Sequence, residues 1–337
     1  MKAVAYQTAG SLDRPDALVD VDLETPTAKG RDLLVRVEAV SVNPVDTKVR
    51  TRASAEPGAW KVLGWDVSGE VVAVGDEATH FSVGDKVFYA GALDRPGANS
   101  EYHLVDERIV GRKPASLTHP EAAALPLTAI TAWEMLFDRL QVEKPVPGAA
   151  PAVLVIGGAG GVGSIAIQLL RALTDLTVIA TASRPETQAW VRELGAHHVV
   201  DHSKPLAPQV AELGLGQPGF VFSTTETALH LADIADLIAP QGRFGLIDDP
   251  AVADIMPFKR KSVSVHWEFM FTRSMFQTAD IAEQGRLLND VSALIEAGKI
   301  RTTLTEVMRP INAETLKAAH AVLESGKARG KLVLEGF

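Results

Sequence analysis

VLVIGGAGGVGSIAIQLLR, residues 153–171, decides the fold of this chain: an apolar run breaks into five glycines within seven residues and resumes as an amphipathic helix. Gly158, Gly160 and Gly163 fit the spacing G-x-G-x-x-G. Glycines at those places permit a tight turn, close backbone approach to a pyrophosphate and close helix packing. A helix starting near Gly161, with Val162 and Gly163 in its first turn, points free N–H groups and its positive dipole end at such a phosphate. Val153–Ile156 before the turn and Ile165, Ile167, Leu169 and Leu170 after it supply the strand-turn-helix context that a dinucleotide-binding turn needs. A glycine-rich turn with no ligand is the other reading of the same pattern.

The next strand, Leu176–Thr181, carries information on which dinucleotide fits. Sites for NAD place an Asp or Glu at this strand's exit to accept from the ribose, and that acid repels a 2′-phosphate. Here the exit reads Ala182-Ser183-Arg184, with no acid. A hydroxyl and a guanidinium suit a phosphate monoester, so the expected cofactor is NADPH, with Ser183 and Arg184 among its contacts. Ser183-Arg-Pro-Glu186 also reads as a helix N-cap with a capping-box Glu.

Composition narrows the classes. A chain of 337 residues, 46% of them hydrophobic, buries a large core and has the length of two domains. No stretch approaches the 18 or so uninterrupted apolar residues of a membrane span, and the amino-terminal residues lead straight into a strand pattern; a cytoplasmic location is expected. The absence of cysteine excludes disulfides, thiolate nucleophiles and Cys-ligated metals. A net charge of −9 without long blocks of one sign argues against nucleic acid or an anionic membrane as partner.

Residues 33–43, 68–75 and 84–90 alternate with period two between glycines and prolines, so the first 115 or so residues read as a β-rich domain. Thr118-His-Pro-Glu121 is a capping box opening a helix that contains Ala122–Ala124 and, past Pro126, Thr128–Leu140. After a linker at Pro145–Pro151, strands at 153–156, 178–181, 220–223, 243–247 and 262–271 alternate with helices, which predicts a doubly wound parallel sheet. Helices near Ala279–Ala297 and Ala313–Ser325 and a strand Lys331–Glu335 close the chain. The fold class is α/β: a GroES-like β-rich catalytic domain over residues 1–123, a Rossmann domain over 124–271, and a return segment, 272–337, completing the first.

This layout resembles the medium-chain dehydrogenase/reductase superfamily over essentially the whole chain. Ser41-Val-Asn-Pro-Val-Asp46 resembles the N-P-x-D segment of its quinone oxidoreductase branch, Gly84-Asp-Lys-Val87 its G-D-x-V turn, and Gly157–Gly163 its phosphate loop. Leu194-Gly-Ala-His-His-Val-Val-Asp201 and Gly330-Lys-Leu-Val-Leu334 are similar to two further family segments. The nearest group by these features is the bacterial proteins labelled zinc-type alcohol dehydrogenase-like. Zinc alcohol dehydrogenases hold their metal with a Cys in the segment matching Ser41–Asp46, a His in G-H-E, and a third Cys or acid. The matching residues are Ser41 and Gly64-Trp65-Asp66, so no zinc is expected; Asp46, Asp66 and Glu70 read as surface or hydrogen-bonding acids.

The resemblance implies hydride transfer from NADPH to a quinone or α,β-unsaturated carbonyl, acceptors that spread incoming charge onto oxygen and need positioning more than a Lewis acid. It implies Asn43 as the residue orienting acceptor or nicotinamide ribose, unless it only satisfies turn backbone. Trp65 is read as a pocket wall or a core residue. Thr128 matches a threonine near the nicotinamide. Ser223 and Ile247 follow sheet strands, where ligands lie in such folds. Lys331 either reaches the cofactor or is a solvated lysine. At the adenosine end a usual lysine is Thr187 and a usual tyrosine is His202. A non-catalytic NADPH-binding interaction or sensor protein, and a zinc-free alcohol/ketone oxidoreductase, are the rival functions. Val263–Phe271 matches a strand that pairs across a two-fold in many relatives, so a homodimer is expected.

Overall fold

The computed structural model describes all residues, 1–337, and divides into two compact units, Met1–Ile130 with Phe271–Phe337, and Thr131–Met270. Up to residue 133 the strands are β1 (Lys2–Tyr6), β2 (Val19–Asp22), β3 (Asp32–Ser41), β4 (Lys61–Val62), β5 (Val67–Val74), β6 (Lys86–Tyr89), β7 (Tyr102–Asp106) and β8 (Gly111–Arg112). The helices of this stretch are α1 (Pro44–Arg52), α2 (His119–Ala123) and α3 (Pro126–Trp133). Next come β9 (Ala150–Ile156), α4 (Gly161–Leu173), β10 (Thr177–Thr181), α5 (Pro185–Glu193), β11 (His198–Val200), α6 (Leu206–Glu212), β12 (Pro218–Ser223), α7 (Thr227–Leu237), β13 (Arg243–Leu246) and β14 (Ser264–Trp267). The chain ends with α8 (Thr272–Met275), α9 (Glu283–Glu296), β15 (Leu304–Met308), α10 (Ala313–Glu324) and β16 (Lys331–Glu335).

The first unit is built on a seven-stranded mixed sheet, ordered β15-β16-β3-β5-β6-β8 with β7 also paired to β3, and a small sheet β2-β1-β4. Strand β3 is its spine: Val333 to Glu335 of β16 pair antiparallel with Ser41 to Ala39, and β5 pairs along the other side. The carboxyl end of β3 therefore lies beside the start of β16, which brings residues 41–46 and 331 together from opposite ends of the chain.

The second unit is a six-stranded, wholly parallel sheet ordered β11-β10-β9-β12-β13-β14. Its inner strands β9, β10, β12 and β13 are largely buried, as strands covered on both faces are, and read as near-continuous apolar runs rather than alternating ones. Leu154, Ile156, Ile179, Val221, Phe244 and Leu246 are buried in one cluster. The order reverses direction between β9 and its neighbours β10 and β12, which makes the carboxyl end of β9 a topological switch point, where ligands bind in this fold.

Several elements differ from the sequence expectation. The one helix expected from the capping box through Leu140 is two, α2 ending at Ala123 and α3 starting at Pro126, whose ring cannot continue a preceding helix, and α3 gives way after Trp133 to a π-helix over Glu134–Arg139. The strand expected over 262–271 runs only over Ser264–Trp267: Ser262 before it has left-handed backbone, φ +52°, and Glu268 after it is buried against Arg139, 2.8 Å away. Helix α9 starts at Glu283 and not near 279, since the residues before it form turns bonded from Ile281 N to Thr278 O and from Glu283 N to Asp280 O. The α5 cap is Arg184 rather than Ser183: the Arg184 N–H donates to Thr187 Oγ1 at 3.2 Å and the Thr187 hydroxyl returns to Arg184 O at 2.9 Å.

Candidate active site

In the second unit the glycine turn is shaped by clashes that any side chain would cause. A Cβ on Gly163 would lie 2.3 Å from Gly157 O, and one on Gly157 would lie 2.3 Å from Thr224 Oγ1. Gly157 also has φ +79°, a left-handed backbone that glycine alone adopts readily. Gly160, by contrast, has room, with its nearest obstacle at 3.5 Å. The amides divide into two sets. Gly157 N–H donates to Thr181 Oγ1 at 3.0 Å, Gly158 N–H to Thr181 O at 3.2 Å and Gly160 N–H to Gly157 O at 3.1 Å. The first-turn amides of α4, on Gly161, Val162 and Gly163, are those that no preceding helical turn can satisfy. These three amides stand at the helix start near Gly161, the place a phosphate would occupy in a turn of this kind.

At the exit of β10, the Arg184 Nε lies 2.7 Å from Glu186 Oε1, and both side chains are partly exposed. Ser183 lies on the same exit and is half-buried. His202, past the end of β11, places Nδ1 3.0 Å from the Thr181 hydroxyl. Burial holds its imidazole below the usual histidine range, with His230 and Arg184 acting the same way. Thr187 is buried and spends its hydroxyl on capping α5. Ser223 is fully buried, and its hydroxyl meets Thr227 Oγ1 at 2.7 Å. Thr227 in turn bonds Asp248 through its hydroxyl and, at 2.9 Å, its backbone N–H. Ile247 is half-buried just beyond β13.

In the first unit, Asn43, Asp46, Trp65, Asp66, Thr128 and Lys331 are all buried. Lys331 Nζ lies 3.1 Å from Asp66 Oδ2, and it also donates to Asn43 Oδ1 and, at 2.9 Å, to Val42 O. Asn43 Nδ2 donates to the same Asp66 oxygen at 3.1 Å, and Leu127 N–H donates to the other at 3.1 Å. Asp46 accepts from Asn43 N–H at 2.7 Å and from Gly64 N–H at 2.9 Å. Burial pushes Asp46 up to about 7. It also raises Asp66 and lowers Lys331, each drawn back toward its charged form by the other.

Neither acid is a surface group, nor is Lys331 a solvated lysine. Asn43 has both ends of its amide held from within. Trp65 donates its indole N–H to Ala92 O at 3.1 Å and meets Phe271 edge-on with centroids 6.3 Å apart. Thr128 donates to Leu125 O at 3.0 Å. Among acids expected at the surface, Glu70 does face solvent, against Arg36.

What sequence reasoning missed is the pairing of Lys331 with Asp66 and the reach of Thr181 and Thr227. Neither segment signals the pair by itself, because Glu70 stands near Asp66, and Lys327, Arg329 and Glu335 stand near Lys331.

Two family models match the sequence, the alcohol dehydrogenase GroES-like domain over residues 29–115 and the zinc-binding dehydrogenase over residues 194–334. A zinc-type alcohol dehydrogenase-like protein of Staphylococcus aureus is 39% identical over 339 residues, covering 99% of each chain. Among solved structures, a putative zinc-dependent alcohol dehydrogenase protein from Rhizobium etli superposes with a TM-score of 0.99 at 65% identity, covering 100% of this chain and 98% of that one. A quinone oxidoreductase from Pseudomonas syringae gives 0.82 at 27% identity over 99% of both.

Fold and glycine cradle define an oxidoreductase of the kind that binds nicotinamide dinucleotides. The chain belongs to the medium-chain dehydrogenase/reductase superfamily, among its zinc-type alcohol dehydrogenase-like and quinone oxidoreductase-like members.

The zinc of those family names does not fit the residues present. There is no cysteine, no three His, Asp or Glu side chains converge, and the carboxylates nearest the expected place are taken up by Lys331, Asn43 and backbone amides. No helix is long and apolar enough to cross a membrane.

Proposed function

We propose that this chain is a zinc-independent, NADPH-dependent reductase acting on a quinone or an α,β-unsaturated carbonyl. The observation that carries the reading is the Gly157–Gly163 cradle, closed to any side chain at Gly163 and set at the switch point of the parallel sheet beside Arg184. When bound, the cofactor supplies hydride from its nicotinamide ring.

The chain's own part is binding and orientation. The amides of Gly161, Val162 and Gly163 take the diphosphate, and Arg184, Ser183 and His202 face the 2′-phosphate. In the second unit Ser223 and Ile247 belong to the cofactor side, Ser223 through the hydroxyl network that fixes its strand end. Asn43 and Trp65 act by holding the shape of residues 41–46 and 64–66, because neither has a free polar atom to offer. An electron-poor acceptor asks for little more, since its own oxygen takes the developing charge. The quinone oxidoreductase likeness supports this acceptor class.

The chain is further proposed to dimerise through β14. That strand is the sheet's edge, and Trp267 and Phe269 beside it are 57% and 48% exposed.

The test is NADPH oxidation by one preparation against small quinones, enones and simple ketones. Quinone or enone turnover well above ketone turnover is expected. NADPH binding without any acceptor-dependent oxidation would instead make the chain a cofactor-binding interaction or sensor protein.

A further inference from the structure

Thr181 ends β10, is fully buried, and touches both ends of the nucleotide site through one hydroxyl. On one side Gly157, the first residue of the glycine cradle, donates its N–H to Thr181 Oγ1 at 3.0 Å. On the other, His202 Nδ1 lies 3.0 Å from the same oxygen. The backbone strengthens the link: Thr181 O accepts from Gly158 N–H, and Ala182 N–H donates to Val200 O, so the exits of β10 and β11 move together.

A hydroxyl has one proton to give. Thr181 already accepts from Gly157, and the only acceptor within reach of its own proton is His202 Nδ1. If the imidazole donated from Nδ1 instead, the hydroxyl would take two donors and its proton would have no partner. The arrangement that satisfies every atom keeps His202 neutral, protonated on Nε2, with that N–H turned away from Thr181. The charged and titratable groups that act on the ring are His230 on α7, Glu226 at its N-cap, Arg184 at the N-cap of α5 and Asp201 in its own segment.

We infer that Thr181 is a positioning residue for cofactor choice: its hydroxyl fixes the tautomer and plane of His202 so that Nε2–H joins Arg184 as a donor to the 2′-phosphate. This rests on the NADPH reading above. It adds the residue immediately before the strand exit at which cofactor preference is ordinarily read, acting only through His202.

The experiment compares wild type with Thr181→Val, which keeps the shape and removes the hydroxyl, and Thr181→Ser, which restores it. Dissociation constants for NADPH and NADH are measured for each. His202 is observed by nitrogen-15 NMR in cofactor-free protein carrying labelled histidine. Wild type shows the Nε2–H tautomer. T181V shows a tautomer mixture and an NADPH-over-NADH preference reduced about tenfold, the size of one hydrogen bond to a charged group, and T181S recovers both.

An Nδ1–H tautomer in wild type overturns the inference without need of any variant. So does a T181V protein in which both cofactors weaken equally, since Thr181 would then be only a strut of the glycine turn. Wild type that prefers NADH overturns the cofactor reading itself.

Discussion

Lys331 and Asp66 form an ion pair 3.1 Å long with 4% and 0% of their side chains exposed. Lys331 opens β16 and Asp66 directly precedes β5, and the pair closes the first unit around Asn43. Both charges are satisfied by further hydrogen bonds, which is the condition under which a buried pair is tolerated.

Removing one partner therefore costs more than removing both. Lys331→Met leaves Asp66 buried without its counter-charge and is expected to lose about 3–5 kcal/mol of unfolding free energy. The double variant K331M/D66N is expected to recover part of that loss. Denaturant unfolding of the three proteins measures it, and a K331M protein as stable as wild type would contradict the role given to the pair.

Two glycines of one motif are expected to behave differently. Gly163→Ala drives a methyl into Gly157 O, 2.3 Å away, whereas Gly160→Ala meets nothing nearer than 3.5 Å. Overpacking of this kind costs about 1–3 kcal/mol, so G163A should melt well below G160A. Equal melting temperatures would show that the cradle is not sterically closed.

Glu268 is pushed up to about 9 by burial and by the neighbouring Glu134, with Arg139 opposing. A carboxyl whose folded value is raised binds more protons folded than unfolded, so stability falls as pH rises from its ordinary value of 4.5 toward about 9. Wild type is expected to lose stability across that window. Glu268→Gln is expected to flatten the profile and be the more stable protein at its alkaline end. Parallel profiles for the two would rule the raised carboxyl out.

The β14 edge gives a prediction about assembly. Light scattering at micromolar concentration should find a dimer, and Trp267→Lys with Phe269→Lys should yield a folded monomer, because charge on an edge strand opposes pairing. A wild-type monomer would remove the proposed interface.

How far the sequence discloses this molecule depends on what kind of constraint each residue answers to. Gly163 was legible because only glycine fits beneath Gly157 O, a backbone requirement written in a single position. Strand β16 was legible in its bounds, flanked as it is by glycines. Helix α9 and strand β14 were overextended, because turns at 278–282 and the inward Glu268 are set by partners distant in sequence. Ser183 looks like a cap by residue type, yet the chain enters α5 one residue later, at Arg184, with Thr187 closing the cap. Asp66 and Lys331 are separated by most of the chain, and each alone looks like a surface charge; only the register of β16 on β3 makes them a pair.

Arg184 shares its guanidinium with Glu186 across 2.7 Å, and the proposed NADPH dependence makes this contact a test of cofactor choice. Arg184→Ala is expected to weaken NADPH about tenfold and leave NADH nearly unchanged, as loss of a charge-assisted contact to one phosphate does. Glu186→Gln is expected to strengthen NADPH. Equal losses for both cofactors in R184A would place Arg184 away from the 2′-phosphate.

Titration of the wild-type protein with NADPH and NADH, followed by nucleotide fluorescence or calorimetry, tests the central claim most directly. NADPH should bind at least about tenfold more tightly than NADH, through the α4 amides and the Arg184 exit. Failure of either nucleotide to bind at millimolar concentration, or a clear preference for NADH, would contradict it.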